Sequence, residues 1–405
     1  MQESLKDTIF GLEDKYKHLL HLTANENTLS PLARRALNSE LSDRYSMSNH
    51  NNLDVATFGR NAAYKSLFEL DDLYDQATAA VNKMLSAEYS SLYCLTGAHA
   101  MACVLLSITQ PGDTVMTVPS NQGGHFCTTG ILELTGRKHV ETVYDPNSFT
   151  FDVRAMAERC KQENVKVIYL DTSVYLKPHP IKELRAHLGN DVVIVYDASH
   201  TLGLIMGGAF QDPLAEGADI ISANTHKTFP GPHKAIIAFK NKKLGVEVEK
   251  TILKNFVSST QTNSLLSLIV TIFEMKEFGE QYAKQTIKNS NELARCLVGL
   301  GLDVRRSDAE SFTHNHQVHL FSPFDRVTTV QSFLKNNVSL GTSGALGDRL
   351  FIRLGTQEIT RRGFKEADMH QIAKITQAVF AGRDARKEVG QLLGSHQTVE
   401  YGYTQ

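Results

Sequence analysis

Four short runs rich in apolar residues constrain the fold of this chain more than any other feature. The runs occupy residues 165–170, 192–196, 219–222 and 235–239. Because their apolar residues are nearly continuous and do not alternate with polar ones, we expect strands buried on both faces. Helical patterns such as 153–163 and 181–188 separate most of these runs. Buried strands that alternate with helices predict an α/β fold with a mostly parallel sheet covered by helices.

The chain predicts a second, smaller α/β region after the last of these strands. A long helical pattern, 265–297, precedes strand-like runs at 304–306 and 317–321. We therefore expect an N-terminal segment packing on both domains, a large domain and a small C-terminal domain. Their predicted bounds are residues 1–70, 71–265 and 266–405. The last ten residues are polar, so we expect them to be loose.

Composition excludes several classes of function. A net charge of −2 gives no electrostatic basis for binding nucleic acid or an anionic membrane. No apolar stretch reaches the roughly 18 residues that span a bilayer, and the N-terminus lacks the pattern of a signal peptide. The 5 cysteines are odd in number and include no C-x-x-C pair, which favours a reducing compartment. We therefore expect a cytoplasmic protein.

A lysine, an aspartate and a histidine stand where two of the predicted strands end. Asp197 and His200 follow the run 192–196, and Lys227 follows the run 219–222. Ligands of such sheets bind beyond the carboxyl ends of the strands, so the three side chains should share one site. A partly desolvated lysine can form an imine with pyridoxal 5'-phosphate (PLP), and an acid can keep the pyridine nitrogen protonated. The pattern therefore predicts a PLP enzyme.

Three blocks of sequence resemble the serine hydroxymethyltransferase family of fold-type I PLP enzymes. They are Asp197-Ala198-Ser199-His200-Thr201-Leu202-Gly203-Leu204, Thr225-His226-Lys227-Thr228 with Gly231-Pro232, and residues 351–364. Gly123-Gly124-His125 and Leu22-Thr23-Ala24-Asn25-Glu26-Asn27 match more weakly. The resemblance implies a large domain with a mostly parallel seven-stranded sheet and a smaller C-terminal α/β domain. It also implies PLP as the cofactor and a homodimer with shared active sites.

The same resemblance implies roles for individual residues. Lys227 would form the imine, Asp197 would pair with the pyridinium nitrogen, and His125 would stack on the ring and act in catalysis. Tyr45 would be a catalytic residue that also contacts the substrate, whose carboxylate Arg353 and Asn25 would bind. The remaining implied cofactor contacts are Thr96, Gly97, Ala98, Thr172, His200, Thr225 and His226.

The chain departs from the family pattern around the second substrate. Met47 stands where the family has an acid–base glutamate, and a thioether cannot transfer a proton. His233 follows Gly231-Pro232 where the family has an arginine, and residues 258–263 replace a Gly-rich loop. The PLP and carboxylate contacts persist, which indicates retained chemistry at Cα with an altered second substrate.

We therefore predict aldol-type cleavage or transfer at the Cα–Cβ bond of a small amino acid such as serine, threonine or glycine. The missing glutamate favours a folate-independent aldolase or transaldolase, with an aldehyde as co-substrate. One alternative is another PLP reaction on the same fold, namely decarboxylation, substitution or oxidation, using polar groups of residues 171–175. A non-catalytic binding module is a further alternative. No metal site is predicted, because His314, His316 and His319 lack a carboxylate or cysteine partner at a fixed spacing.

Overall fold

The computed structural model of the protein describes residues 2–44, 68–145, 147–346 and 349–404. Tyr45 and Met47 lie outside the described residues. The chain divides into two compact units. The large unit comprises residues 27–284 and 401–405, and the small unit comprises residues 1–26 and 285–400.

These units are divided differently from the predicted domains. The predicted boundary lies at residues 265/266, whereas the observed one lies at 284/285, within the helix Thr262–Gly299. Because this helix is continuous through the boundary, no turn signal marks it in the sequence. The predicted N-terminal segment is itself divided, since residues up to Glu26 belong to the small unit and those from Asn27 to the large unit.

Helices and short strands alternate along most of the described chain. The helices are α1 (Gln2–Lys17), α2 (Pro31–Leu37), α3 (Phe68–Met84), α4 (Gly97–Ile108), α5 (Phe126–Leu134), α6 (Val153–Gln162), α7 (Ile181–Leu188), α8 (Leu202–Met206), α9 (Pro213–Glu216), α10 (Lys242–Asn255), α11 (Thr262–Gly299), α12 (Arg326–Lys335), α13 (Gln357–Arg361), α14 (Glu366–Phe380) and α15 (Arg386–Gly394). The strands are β1 (Leu20–His21), β2 (Tyr89–Ser91), β3 (Thr114–Thr117), β4 (Lys138–Glu141), β5 (Tyr144–Asp145), β6 (Thr150–Phe151), β7 (Val165–Leu170), β8 (Val193–Asp197), β9 (Ile220–Asn224), β10 (Ala235–Phe239), β11 (Gln317–Phe321), β12 (Val338–Ser339), β13 (Gly341–Leu346) and β14 (Arg349–Gly355). Within the described chain, no helix is both long and apolar enough to cross a membrane.

The large unit is built on a seven-stranded sheet with the order β2-β10-β9-β8-β7-β3-β4. Strands β4, β3, β7, β8 and β9 pair in parallel, and β10 runs antiparallel to both β9 and β2. Every residue of β9 and β10 is buried, as their continuous apolar runs predict. The prediction of a mostly parallel seven-stranded sheet is confirmed. The register sets Leu170 opposite Tyr196 and Asp197 opposite Ser222, so neighbouring strands end at one edge.

The small unit contains a three-stranded antiparallel sheet, β11-β14-β13, and the parallel pair β1-β12. Helices α12, α14 and α15 and the end of α11 contribute apolar side chains to its core. The predicted strand at 304–306 is wrong, because only Val304 forms an isolated bridge, with Leu320. The Arg305 and Arg306 side chains lie over the rings of Phe351 and Phe312 instead.

Two other expectations are corrected. The end of the chain is not loose: Tyr401 is buried, and the Tyr403 N–H donates to a Glu274 carboxylate oxygen at 2.9 Å. The basic run Lys240-Asn241-Lys242-Lys243, which the sequence suggests as a solvated turn, instead leads into α10, which begins at Lys242. The Asn241 side chain caps that helix by accepting the Leu244 N–H.

Candidate active site

A cavity of about 410 Å³, including its opening to solvent, lies beyond the carboxyl ends of β7, β8 and β9 in the large unit. Its lining residues are Gly97, Ala98, Met101, His125, Asp171, Thr172, Ser173, Asp197, Ser199, His200, Asn224 and Lys227. The structure thus brings together most of the cofactor contacts that the sequence suggested, at the edge where parallel sheets bind ligands.

Lys227 extends from a tightly bonded loop between β9 and β10. The Thr225 hydroxyl donates to the Pro232 carbonyl at 2.6 Å and accepts the Lys234 N–H at 3.1 Å, which closes the loop. The Asn27 amide donates to the Lys227 carbonyl at 2.6 Å. The Lys227 Nζ lies 3.1 Å from Nε2 of His200. The backbone is therefore fixed where a nucleophilic amine is presented to the cavity.

Asp197 ends β8 with its carboxylate held in place by two donors. The Ser199 N–H donates to Oδ1 at 2.9 Å, and the Tyr169 hydroxyl donates to Oδ2 at 3.4 Å. Burial and then the charge of Asp197 raise the pKa of Tyr169 well above its usual value, so this hydroxyl stays a donor. The arrangement presents an oriented carboxylate to the cavity.

His125 begins α5 as its N-cap residue. Its Nδ1 accepts the Cys127 N–H at 3.3 Å, so a neutral ring carries its proton on Nε2. The ring stacks on Phe126, with centroids 4.9 Å apart. Burial and the Lys227 charge lower the pKa of His125 against the opposing effect of Asp197. A Cβ on the preceding Gly124 would lie 2.0 Å from the Val118 carbonyl oxygen, so the close approach of this loop requires glycine.

The N-terminus of α4 faces the cavity through Gly97 and Ala98. Thr96 caps this helix, because its hydroxyl accepts the His99 N–H at 3.1 Å. A Cβ on Gly97 would lie 2.9 Å from Cβ of Asn224, which shows how closely the turn packs on β9. The first N–H groups of a helix and its dipole favour an anion, so the turn can hold a phosphate.

Three predicted cofactor contacts do not line the cavity, and their roles stay a prediction. Thr96 caps α4, and the Thr225 hydroxyl is engaged within its loop. His226 stacks on His233, with ring centroids 3.8 Å apart. Burial lowers the pKa of His226 to about 3, with smaller contributions from His233 and Lys227. A neutral His226 supplies no positive charge for a phosphate.

Sequence reasoning assigned no individual role to Asp171, Ser173 or Asn224, although all three line the cavity. Burial raises the pKa of Asp171 to about 7. The Ser173 hydroxyl donates to the Gly123 carbonyl at 2.8 Å, which ties this segment to the loop that carries His125. Each residue ends or follows a buried strand, and that position was the signal available in the sequence.

Arg353 and Asn25 belong to the small unit. Arg353 lies on the central strand β14 and is 5 % exposed. Its guanidinium donates to the side-chain oxygen of Asn25. Burial and the charges of Arg305 and Arg353 lower the pKa of His319 well below its usual value, so that ring adds no positive charge. A guanidinium buried to this extent is suited to binding a carboxylate through two parallel hydrogen bonds.

The sequence matches the serine hydroxymethyltransferase profile over residues 2–376. The chain belongs to the serine hydroxymethyltransferase family. It is 39 % identical to a fluorothreonine transaldolase of Streptantibioticus cattleyicolor, over 95 % of this chain and 61 % of that protein. It therefore spans about three fifths of the length of that relative. It is 30 % identical to a serine hydroxymethyltransferase of Methanocella arvoryzae, over 98 % of this chain and 96 % of that protein.

The solved structures include a close match in fold. The crystal structure of L-threonine transaldolase from Pseudomonas fluorescens, in its internal aldimine state, superimposes with a TM-score of 0.92. It shares 28 % sequence identity and covers 99 % of this chain and 93 % of its own. This likeness confirms the predicted α/β fold.

The cofactor of this serine hydroxymethyltransferase-family chain is PLP, and the cavity fits it. The cavity joins a lysine amine, an oriented carboxylate and the N-terminus of a helix. Three buried atoms of its lining have no hydrogen-bond partner among the described residues: Asp171 Oδ1, Thr172 Oγ1 and Asn224 Oδ1. Buried polar atoms are rarely left unpaired in native proteins, so these atoms indicate a polar ligand.

Two groups of side chains away from this cavity resemble metal sites. Cys94, His99 and Cys103 lie together in the large unit, but the His99 Nδ1 already accepts the Leu95 N–H at 3.1 Å. His21, Glu26 and Glu358 lie together in the small unit, where Glu358 pairs with Arg362 at 3.3 Å. One member of each group is therefore already engaged by a protein partner.

Proposed function

We propose that this enzyme catalyses PLP-dependent aldol-type cleavage and transfer at the Cα–Cβ bond of a small β-hydroxy amino acid, with an aldehyde as the second substrate and without folate. The observation that carries the proposal is the shared cavity of Lys227, His200 and Asp197. Similarity to a fluorothreonine transaldolase and to an L-threonine transaldolase supports transfer between aldehydes over other PLP reactions.

Bound PLP supplies an electron sink for cleavage at Cα. The protein supplies the nucleophile, Lys227 Nζ, and a neighbouring base, His200 Nε2, which can hold or return the lysine proton. The Asp197 carboxylate stabilises positive charge on the pyridine nitrogen. Neutral His125 contributes a ring face and an N–H at Nε2. These groups move or hold protons at fixed positions, as general acid–base catalysis requires.

Arg353 and Asn25 are proposed to bind the substrate carboxylate. The hydrogen bond from Arg353 to Asn25 fixes one edge of the guanidinium. A planar, permanently charged group in a buried position recognises a carboxylate better than a flexible ammonium does. Tyr45 is proposed as a further contact to the substrate, on the basis of its sequence position alone.

Folate independence is supported by the residues that replace the family's acceptor groups. Met47 cannot act as an acid or base. His233 is exposed and stacks on His226, in place of a permanent cation. Reaction with an aldehyde needs neither the glutamate nor the second arginine.

We also propose that the enzyme is a cytoplasmic homodimer with shared active sites. Helix α1 supports an association surface, because four large apolar side chains are exposed on it: Leu5, Ile9, Phe10 and Leu12. The cysteines of the described chain are all free, which is consistent with a reducing compartment.

Incubating the holoenzyme with L-threonine and an aromatic aldehyde tests the reaction. We expect acetaldehyde release coupled to a new β-hydroxy amino acid, identified by mass spectrometry, with no effect of added tetrahydrofolate. Lys227→Ala protein serves as the inactive control. Release of carbon dioxide or a substitution product, without any aldehyde, would support the alternative PLP reaction instead.

A further inference from the structure

Asp171 is a buried carboxyl group to which the proposed function gives no role. It directly follows β7, is 3 % exposed and lines the cavity. Its Oδ2 accepts the His125 N–H at 3.2 Å and the Thr128 hydroxyl at 2.5 Å. Both donors belong to the start of α5, so Asp171 ties the end of β7 to the backbone that carries the His125 ring.

The second oxygen of this carboxyl group, Oδ1, indicates where Asp171 carries its proton. Oδ1 is buried and has no hydrogen-bond partner in the part of the chain that the structure describes. Because Oδ2 already accepts two hydrogen bonds, the proton of a neutral Asp171 resides on Oδ1. That proton makes Oδ1 a donor on the lining of the cavity.

The neutral form is favoured by the surroundings of Asp171. Burial raises its pKa to about 7, the Thr128 hydrogen bond lowers it, and the charge of Asp197 raises it. Two carboxyl groups that share a desolvated cavity do not both ionise readily. Asp197 is the less buried of the two.

We propose that Asp171 is a positioning residue that fixes the backbone of His125 and acts in its protonated form, so that Asp197 carries the carboxylate charge of the cavity. The inference rests on the proposed function in that the cavity binds PLP. Ionisation of Asp171 would place a second negative charge in the cavity. That charge would oppose the withdrawal of electrons from the substrate.

The titratable groups around Asp171 come from β7, β8, the loop after β9 and the start of α5. They are Asp197 of β8, His200 after β8, Lys227 after β9, His125 before α5 and Tyr169 of β7. Helix α4 contributes Gly97, Ala98 and Met101, which carry no charge. Burial makes the largest contribution to the raised pKa of Asp171.

Two variants separate the position of Asp171 from its charge. Asp171→Asn keeps an acceptor for both donors and is permanently neutral, whereas Asp171→Ala removes the contact to His125. Asp152→Asn is the matched control, since Asp152 is an exposed carboxylate that caps α6 in the same unit. Each protein is measured from about pH 5 to 9, because a carboxyl with a raised pKa gives up its proton within that range.

The first readout is chemical unfolding of the PLP-free proteins. An unfolded aspartate ionises near pH 3.9, so between about pH 4 and 7 the folded wild type binds a proton that the unfolded chain has lost. The contribution of Asp171 to the free energy of unfolding is fully present below about pH 4. It is lost as the pH rises to the pKa of folded Asp171. The unfolding constant of the wild type should rise by up to about tenfold per pH unit relative to Asp171→Asn.

The second readout uses the holoenzymes. The visible absorption of bound PLP in the wild type should change with an apparent pKa near 7 that Asp171→Asn lacks and Asp152→Asn retains. The kcat of the wild type should decline as the pH rises above 7, and Asp171→Asn should lack this decline. Asp171→Ala should lose about tenfold or more in kcat with a smaller change in KM, and should alter the circular dichroism of bound PLP, because His125 is misplaced.

Identical pH profiles of wild type and Asp171→Asn in both readouts would overturn the inference, as would full kcat and unchanged circular dichroism in Asp171→Ala. Failure of the wild type to bind PLP would overturn the proposed function. The unfolding comparison, made without PLP, would still decide whether Asp171 is protonated.

Discussion

The Nζ atom of Lys227 lies 3.1 Å from Nε2 of His200. At this distance the two nitrogens share one hydrogen bond, in which one donates and the other accepts. The lysine ammonium can donate to a neutral imidazole, or the imidazole N–H can donate to a neutral amine. His200 is therefore placed to take up the proton that Lys227 must lose before it acts as a nucleophile.

His200→Asn should slow turnover without abolishing cofactor attachment. We expect kcat to fall by about 10²-fold, the lower range for loss of a general acid–base group. Borohydride treatment should still link PLP to Lys227, because the nucleophile itself remains. His187→Asn, which changes an exposed histidine of α7 in the same unit, should leave kcat unchanged. Unaltered turnover in His200→Asn would contradict the role given to this pair.

Arg353→Lys should weaken substrate binding more than it slows the reaction. Lysine offers a single point charge where arginine offers a planar fork, so KM for L-threonine should rise by about tenfold or more. The absorption of bound PLP should be unchanged. The matched control is Arg349→Lys, since Arg349 lies on the same strand and pairs with Asp303 at the surface.

Exposed ion pairs contribute about 0–1 kcal/mol, so Arg349→Lys should alter neither KM nor stability measurably. Steady-state kinetics on both variants tests whether Arg353 binds the substrate carboxylate. If Arg353→Lys matched the wild type in KM, another group would have to bind the carboxylate.

Gly124→Ala should displace the loop that carries His125. The added Cβ would lie 2.0 Å from the Val118 carbonyl oxygen, which the backbone cannot accommodate without moving. We expect reduced PLP affinity and a loss of stability of about 1–3 kcal/mol, as for other strained substitutions. Gly130→Ala is the control, because Gly130 lies within α5 with no atom near its Cβ position.

Gly130→Ala should be neutral or stabilising by up to about 1 kcal/mol, since alanine favours a helix over glycine. Thermal unfolding and PLP titration measure both variants. If the loop packs as described, Gly124→Ala lowers the stability and the PLP affinity, whereas Gly130→Ala does not. Equal stability and equal PLP affinity of the two variants would show that the loop near Gly124 accommodates the added Cβ by a small shift of its backbone.

The sheet of the large unit could be predicted from the sequence because its strands are buried on both faces. The runs that become β7 and β10 contain one polar residue, Lys166, so their nearly continuous apolar residues indicate short buried strands. Strand β4 was missed because Lys138–Glu141 forms the edge of the sheet and is partly exposed. A polar edge strand has no apolar pattern to distinguish it from a loop.

Local sequence patterns likewise predict only part of the candidate site. Lys227 and Asp197 could be placed from the strands they follow, and His125 from the resemblance to a family. Asp171 also follows a buried strand, but its importance depends on Thr128 and on the His125 N–H, contacts 43 and 46 residues away along the chain. Hydrogen bonds over such separations are set by tertiary packing, which a local pattern does not contain.

Acid should destabilise the large unit through His179. This side chain is fully enclosed by aromatic neighbours, including Phe151 and Tyr175, and burial lowers its pKa to about 3. An unfolded histidine binds a proton below about pH 6.5, whereas the folded one stays neutral until about pH 3. The contribution of His179 to the free energy of unfolding is thus fully present above pH 6.5. It falls as the pH drops, by up to about 1.4 kcal/mol per pH unit.

His179→Phe keeps an aromatic ring that cannot be protonated, so its stability should fall less steeply than that of the wild type as the pH drops. Urea unfolding at a series of pH values measures the two slopes. His187→Asn should retain the slope of the wild type, because His187 is exposed on α7 and is not buried by folding. Parallel slopes for His179→Phe and the wild type would show that His179 gains its proton without unfolding of the chain, and that the aromatic cluster admits water.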